Sequence, residues 1–123
     1  MIITLTTDFG LRDHYVGSVK GAILSIHLLV RLVDITHDIP PQDILSAAYV
    51  LKESYRYFPR GTIHLAVVDP GVGSSRKPIV VEGDGHLFVG PDNGIFTFVL
   101  GRTDAIVHEI TNTKYILAAD SPT

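Results

Sequence analysis

The sequence predicts an α/β domain with a mostly parallel sheet flanked by helices. Short β-rich runs alternate with helical periodicity in the order β-α-β-α-β, and hairpin signals follow them. A helix between two strands carries the chain back across the sheet, so the two strands run parallel. Crossovers of this kind are right-handed. With 123 residues the chain is long enough for one domain. We therefore expect residues 1–123 to form a single α/β domain.

The first half of the chain carries the strand–helix units. Ile2 to Thr7 is β-rich, and apolar residues at helical spacing follow it, with Asp13 as the predicted N-cap. A second strand is predicted over residues 28–35, and because it is apolar almost throughout, we expect both of its faces to be covered. A second helix is predicted over residues 43–57 and a third strand over residues 62–68.

Two glycines, Gly17 and Gly21, lie four residues apart inside the first predicted helix. Each glycine costs about 1 kcal/mol of helix stability relative to alanine. We therefore expect these positions to allow close packing of the helix against the sheet.

The second half of the chain reads as hairpins. Strands are predicted over residues 78–82 and 86–89, joined by a glycine-containing turn. The pattern of residues 95–100 fits a short helix and a strand equally well, and residues 105–110 read as a further strand. Residues 112–123 resemble a connecting segment that stops before another element. We therefore expect a downstream part to be missing.

Composition excludes several classes of protein. The chain is 46% hydrophobic and 19% charged with a net charge of −3, so neither disorder nor a basic nucleic-acid-binding stripe is expected. It has no cysteine, which excludes a disulfide scaffold, a zinc–thiolate site and thiol catalysis. No apolar run is long enough to span a membrane, and the N-terminus lacks the basic start of a signal peptide. We expect a soluble, cytoplasmic protein.

Polar residues follow the predicted strands at the edge where open α/β sheets bind ligands. Asp8 follows the first strand, His37 the second and Asp69 the third. Carboxylates gathered there favour a cation or a sugar diol whose hydroxyls donate to them. Taken alone, Asp8 serves equally well as a turn cap, and Asn93 is most simply a turn residue.

Common catalytic and cofactor motifs do not fit. The stretch from Gly71 to Lys77 lacks the glycine that a Walker motif places before its lysine, and no dinucleotide-binding glycine pattern follows the first strand. The six histidines show no paired metal-ligand spacing, so we expect most of them on the surface or as satisfied core residues. No nucleophile elbow is present. The absence of these motifs leaves both interpretations of the carboxylate edge open, a cation site and a sugar-diol site.

An ordered set of short motifs nevertheless spans nearly the whole chain. The motifs are Thr6-Thr7-Asp8-Phe9-Gly10, Val33-Asp34-Ile35-Thr36-His37, Ile39-Pro40, Asp43 with Ala47-Ala48, Phe58-Pro59 with Gly61-Thr62, Val67-Val68-Asp69-Pro70-Gly71-Val72-Gly73 with Arg76, and Gly90-Pro91-Asp92-Asn93-Gly94. In this order they resemble the S-adenosyl-L-methionine hydroxide adenosyltransferases, which are related to fluorinating and chlorinating enzymes.

The resemblance implies a reaction and roles for particular residues. The family splits S-adenosylmethionine into adenosine and L-methionine through attack of water or hydroxide on C5′ of the ribose. This reaction requires no metal or redox cofactor, so the resemblance implies neither. Asp69 and Arg76 match two residues that hold and activate the water. Asp8 matches the carboxylate that grips the ribose hydroxyls, Asp13 matches a position near the methionine ammonium, and Asn93 is assigned to substrate binding.

The resemblance also implies parts that these 123 residues do not contain. The family's active-site histidine aligns downstream of Thr123, and a C-terminal β-barrel supplies most contacts to adenine. In relatives the site forms between this domain and a neighbouring subunit's C-terminal domain, within a homotrimer. A non-catalytic module that binds S-adenosylmethionine or adenosine, or that serves assembly, is therefore an alternative. An unrelated metal-dependent phosphohydrolase is a third.

Two features favour the hydrolytic branch over the halogenating branch. Asp69 would repel a halide, whereas fluorinating relatives have an uncharged segment there. The short turn over residues 83–85 also lacks the long insertion of the fluorinating enzymes. We therefore expect a hydrolase.

Overall fold

A computed structural model describes residues 1–69 and 77–110, and it confirms the predicted α/β class. In chain order the elements are β1 (Ile2–Thr7), α1 (Tyr15–Ile26), β2 (Arg31–Thr36), α2 (Ile44–Ser54), a 3-10 turn (Tyr55–Tyr57), β3 (Ile63–Val67), β4 (Pro78–Gly83), β5 (His86–Pro91), α3 (Thr97–Leu100) and β6 (Ile106–Glu109).

These strands form one six-stranded sheet in the order β2-β1-β3-β5-β4-β6. The pairs β2–β1, β1–β3 and β3–β5 are parallel, whereas β4 pairs antiparallel with β5 and β6. The chain leaves β1 in one direction to form β2 and then crosses back to form β3 on the other side. Right-handed crossovers in opposite directions place their helices on opposite faces of a sheet.

The main core lies between the sheet and α2 with α3. Ala47 and Leu51 of α2 are fully buried against Val68, Val81 and Phe88 of the sheet side. The first strand contributes polar residues to this face, because Thr4 and Thr6 are also fully buried. Burial of this apolar surface is the main favourable term in the stability of the fold.

The first helix covers its face of the sheet less completely than the sequence predicts. Within α1 only Val16 is buried. A Cβ atom built on Gly17 or Gly21 would meet nothing within 4 Å. The prediction that these glycines allow close packing against the sheet is therefore wrong, because both residues face open space.

The prediction that the second strand is covered on both faces is also wrong. It begins at Arg31 rather than at residue 28, and it lies at the edge of the sheet beside β1. Its residues are exposed or half-buried, and Leu28 and Leu29 before it are 78% and 85% exposed. An apolar run shows that its residues are hydrophobic. It does not show where the strand begins or which part of the fold, if any, covers those residues.

The two longer helices begin differently. Asp43 caps α2, since its Oδ1 accepts a hydrogen bond from Ser46 N at 3.0 Å and its Oδ2 accepts one from the Ser46 hydroxyl at 2.6 Å. By contrast, α1 begins after His14, which makes no side-chain cap hydrogen bond, so the prediction of Asp13 as its N-cap is wrong.

The predicted hairpin of β4 and β5 is confirmed. The ambiguous residues 95–100 contain the short helix α3, and the last predicted strand is β6. The segment over residues 112–123 lies outside the described residues. No helix within residues 1–69 and 77–110 combines the length and the apolar character that crossing a membrane requires.

Candidate active site

The strand order reverses between β1 and β3, which is the position where an open α/β sheet leaves a crevice for a ligand. The two strands are parallel and in register, with Thr7 of β1 opposite Val67 of β3. Neighbouring strands lie about 4.8 Å apart, so the residues that follow them emerge side by side at the carboxyl edge. This is the position at which open α/β sheets bind ligands.

Asp8 is the first residue after β1 at this edge and is half-buried. Its Oδ2 accepts a hydrogen bond from the backbone N–H of Gln42 at 2.8 Å. Gln42 has a φ of 63°, a left-handed conformation that a side chain makes unfavourable. The loop after β2 therefore holds an unfavourable backbone conformation while it donates to the Asp8 carboxylate.

Asp69 follows β3 and is also half-buried. The residue before it, Val68, is fully buried, and its carbonyl oxygen accepts a hydrogen bond from Asn93 Nδ2 at 2.8 Å. Asn93 Oδ1 in turn accepts from the backbone N–H of Ile95 at 3.2 Å. Both polar atoms of Asn93 are thus engaged with the backbone, next to the attachment point of Asp69.

The remaining predicted site residues divide into two cases. Asp13 lies in the loop between β1 and α1, on the same side of the sheet as Asp8, and is exposed. Arg76 lies outside the described residues. The structure thus brings Asp8, Asp69 and Asn93 to one edge, with Asp13 a few residues further along the chain.

Sequence reasoning placed His37 at this edge but assigned no role to it. His37 follows β2, is 5% exposed, and its Nδ1 lies 2.8 Å from Thr7 Oγ1. The signal available in the sequence was its position directly after the second strand. The sequence does not show whether a histidine in a loop is buried, so the contact with Thr7 could not be inferred from spacing.

A second buried polar cluster lies in the amino half of the sheet, away from the crevice. His64 Nδ1 lies 2.7 Å from Thr4 Oγ1, and His64 Nε2 lies 3.1 Å from His86 Nδ1. Burial lowers the pKa of His64 to about 4, and the neighbouring His86 adds to the shift. Burial also lowers the pKa of His86. Both rings are therefore neutral at pH 7 and act as core hydrogen-bonding groups.

The part of the chain that the structure describes contains no group of three or more His, Cys, Asp or Glu side chains arranged to hold a metal ion. Asp8 and Asp69 are the carboxylates that directly follow β1 and β3. Their chemistry, as hydrogen-bond acceptors at a sheet edge, suits a polar organic ligand with hydroxyl or ammonium donors.

Comparison with known proteins identifies the class to which this fold and this edge belong. Residues 3–123 match the SAM hydroxide adenosyltransferase N-terminal domain. The chain is similar to the (R)-S-adenosyl-L-methionine hydrolase of Methanocaldococcus jannaschii, with 52% identity over 103 residues that cover 80% of this chain and 39% of that protein. The chain therefore belongs to the SAM hydroxide adenosyltransferase family.

Two further comparisons agree. A crystal structure of an uncharacterized conserved protein from Thermotoga maritima superposes with a TM-score of 0.86 at 41% identity, covering 93% of this chain and 44% of that one. The fluorinase of an Actinoplanes species is 28% identical over 146 residues, covering 99% of this chain and 49% of that protein. The identity is higher to the hydrolase, and this chain spans half or less of each relative's length.

Proposed function

We propose that this domain supplies half of the active site of an S-adenosyl-L-methionine hydrolase. The observation that carries the proposal is the pairing of β1 with β3, after which Asp8 and Asp69 follow at the same carboxyl edge of the sheet. Family membership and the hydrolases among its relatives support the choice of substrate. The products are adenosine and L-methionine.

The chemistry asks little of the protein beyond positioning. Water attacks C5′ of the ribose, the C5′–S bond breaks, and its electron pair stays on sulfur as a neutral thioether. The attacking water gives up one proton, which is released to the solvent. Because the leaving group departs from a sulfonium cation as a neutral molecule, no general acid is needed. In-line placement and activation of one water remain.

Each candidate residue has a task in this scheme. Asp8 accepts hydrogen bonds from the ribose hydroxyls, and Asp69 orients the attacking water. Arg76 stabilises hydroxide character on that water. Asp13 pairs with the methionine ammonium. The assignment of Asn93 to direct substrate contact stays a prediction, since the hydrogen bonds of its amide run to the backbone around Val68.

We also propose that the full-length protein is a cytoplasmic homotrimer that uses no metal or other cofactor. Exposed apolar side chains at the end of α1 support an assembly, since Ile26 is 89% exposed and Leu29 is 85% exposed. Sedimentation equilibrium tests the trimer, and activity in the presence of a chelator tests the absence of a metal. Cell fractionation tests the location.

A second candidate is a non-catalytic module that binds S-adenosylmethionine or adenosine, or that serves assembly. The observation that favours it is the Asp8 carboxylate, which the backbone N–H of Gln42 already holds at 2.8 Å, as binding without chemistry requires. In this case the Asp8 loop binds the nucleoside while the chemistry is absent.

One experiment separates the two candidates. The intact mass of the purified protein is measured, and adenosine release from S-adenosylmethionine is followed by chromatography. The same assay is run on a chimera in which this domain replaces the N-terminal half of the M. jannaschii relative. Adenosine release that is lost in Asp69→Asn supports the hydrolase. Binding of adenosine without release by either protein supports the module, and neither binding nor release contradicts both.

A further inference from the structure

The loop after β2 holds the loop after β1 through its backbone. The N–H of Gly10 donates to the carbonyl oxygen of His37 at 2.7 Å, and the N–H of Ile39 donates to that of Thr7 at 3.3 Å. The N–H of Gln42 donates to Asp8 Oδ2 at 2.8 Å. The carboxylate and the backbone around it are thus held from one neighbouring loop.

The side chain of His37 extends this contact into a chain of polar groups. His37 Nδ1 lies 2.8 Å from Thr7 Oγ1, which also accepts a hydrogen bond from Phe9 N at 3.2 Å. On the other side of the ring, Nε2 lies 2.8 Å from Asp34 Oδ1, off the line of a hydrogen bond. Asp34 Oδ2 accepts from Lys20 Nζ at 2.8 Å. A surface ion pair is thereby linked to the residue that precedes Asp8.

The charge on Asp34 determines which groups in this series of polar contacts donate hydrogen bonds and which accept them. Partial burial raises the pKa of Asp34, but the hydrogen bond from Lys20 and the facing His37 ring outweigh this effect and lower that pKa. An ionised Asp34 requires a proton on the facing Nε2 of His37. In the neutral ring Nδ1 is then an acceptor, which receives the hydroxyl proton of Thr7 while Thr7 Oγ1 accepts from Phe9. Each hydrogen bond in this series of polar groups then has a defined donor and a defined acceptor.

We propose that His37 is a positioning residue for Asp8, acting through Thr7 to fix the direction in which the carboxylate leaves β1. A carboxylate that accepts two ribose hydroxyls must present its oxygens in one orientation, and a misplacement of about 1 Å weakens such contacts strongly. Thr7 is the last residue of β1 and is 2% exposed, so its hydroxyl is locked by His37 and Phe9. The identity of the ligand as a ribose rests on the proposed function above.

Two substitutions of His37 separate its two ring nitrogens. His37→Asn keeps a polar group near the position of Nδ1, whereas His37→Gln keeps one near Nε2 and leaves the Thr7 hydroxyl with the N–H of Phe9 but without its contact to residue 37. Thr7→Val removes the hydroxyl from the other side, and Thr7→Ser restores it. His108→Gln is the matched control, since its side chain is 59% exposed on β6.

The readout is the preference of the protein for adenosine over 2′,3′-dideoxyadenosine, from dissociation constants measured by calorimetry. We expect this preference to fall about tenfold in His37→Gln and Thr7→Val and to stay within about twofold of wild type in His37→Asn, Thr7→Ser and His108→Gln. A residue that only stabilises the fold would lower the unfolding temperature of each variant and leave the preference unchanged. An unchanged preference in both His37→Gln and Thr7→Val overturns the proposal.

Amide hydrogen exchange keeps this proposal separate from the proposed function. In the unliganded chain, His37→Gln is expected to speed exchange at Phe9, Gly10 and Gln42, whereas His108→Gln is not. If the wild type neither binds adenosine nor releases it from S-adenosylmethionine, the proposed function is wrong. Faster exchange at these three amides then still supports the positioning role, and unchanged exchange contradicts it.

Discussion

Asn93 donates a hydrogen bond from Nδ2 to the carbonyl oxygen of Val68 at 2.8 Å, across 25 residues of sequence. Through this bond the loop after β5 fixes the end of β3, and Asp69 is the next residue. The water-orienting carboxylate of the proposed reaction is thus positioned by a side chain from the loop after a different strand. Asn93, which the sequence predicts as a turn residue, therefore acts as a brace: it holds the backbone next to Asp69.

Replacement of Asn93 tests this brace. Asn93→Asp keeps the shape but removes the Nδ2 donor and turns a carboxylate toward a carbonyl oxygen, which costs about 1 to 3 kcal/mol in the free energy of unfolding. We expect kcat for adenosine release to fall more than KM rises, because Asp69 acts on the attacking water. Asp92→Asn, at the exposed neighbouring position, is the control. Equal effects of the two substitutions on kcat would contradict the role.

Substitutions of Asp69 and Asp8 are predicted to affect different steps, the chemical step and substrate binding. Asp69→Asn should lower kcat by about 10² to 10⁴ with little effect on the dissociation constant of adenosine, the range observed when a general base is removed. Asp8→Asn should weaken binding of adenosine and of S-adenosylmethionine together. Steady-state kinetics and calorimetry on both variants measure this difference. A fall in affinity confined to Asp69→Asn would reverse the two assignments.

The buried His64 predicts a dependence of stability on pH. Its pKa is about 4 in the folded chain, against about 6.5 when the chain is unfolded. The unfolded chain therefore binds more protons between these values, so the stability is fully present above pH 6.5 and falls as the pH drops toward 4. The loss attributable to this residue, which has no exposed surface, is about 3 kcal/mol at most.

Urea unfolding at pH 7.5 and pH 4.5 measures this effect. His64→Gln does not titrate in this range, so the difference in unfolding free energy between the two pH values should shrink. His108→Gln removes an exposed histidine and should leave the difference unchanged. If His64→Gln keeps the full pH dependence of the wild type, other groups cause it.

Two glycines are predicted to respond to alanine in opposite directions. A Cβ atom on Gly90 would collide with the carbonyl oxygen of Ala66 and approach the Phe96 ring to 3.0 Å, so Gly90→Ala should destabilise the fold by about 2 kcal/mol or more. Gly17→Ala places a methyl group in open space on α1 and should stabilise by about 0.5 to 1 kcal/mol. Thermal unfolding of both variants gives the sign of each change in stability. A destabilised Gly17→Ala would show that Gly17 packs against a neighbour and does not face open space.

The sequence predicted the parts of this fold that depend on local pattern. Alternation of strand and helix signals placed β1, β3 and the hairpin of β4 and β5 within about two residues of their observed bounds. It failed for β2 and α1, whose apolar residues are largely exposed. Periodicity shows that a face is apolar, but the residues that cover that face are set by the fold and by any partner.

The candidate site was predictable in a similarly divided way. Asp8 and Asp69 were identified because they directly follow strands, and the sheet brings them to one edge. The hydrogen bonds from Gln42 to Asp8 and from Asn93 to Val68 span 34 and 25 residues. Contacts of that kind depend on loop conformations, including the positive φ of Gln42, which no spacing rule gives.

The place of β1 between β2 and β3 has a consequence for synthesis. The ribosome makes β1 first, yet one of its two neighbours ends only at Val67. At about 5 to 20 residues per second, that partner is completed about 3 to 12 s after β1. During this interval a β-prone segment, Ile2–Thr7, has no charged side chain and keeps one hydrogen-bonding edge unpaired. Newly made chains are thus most open to aggregation, or to capture by a chaperone, before β3 is complete.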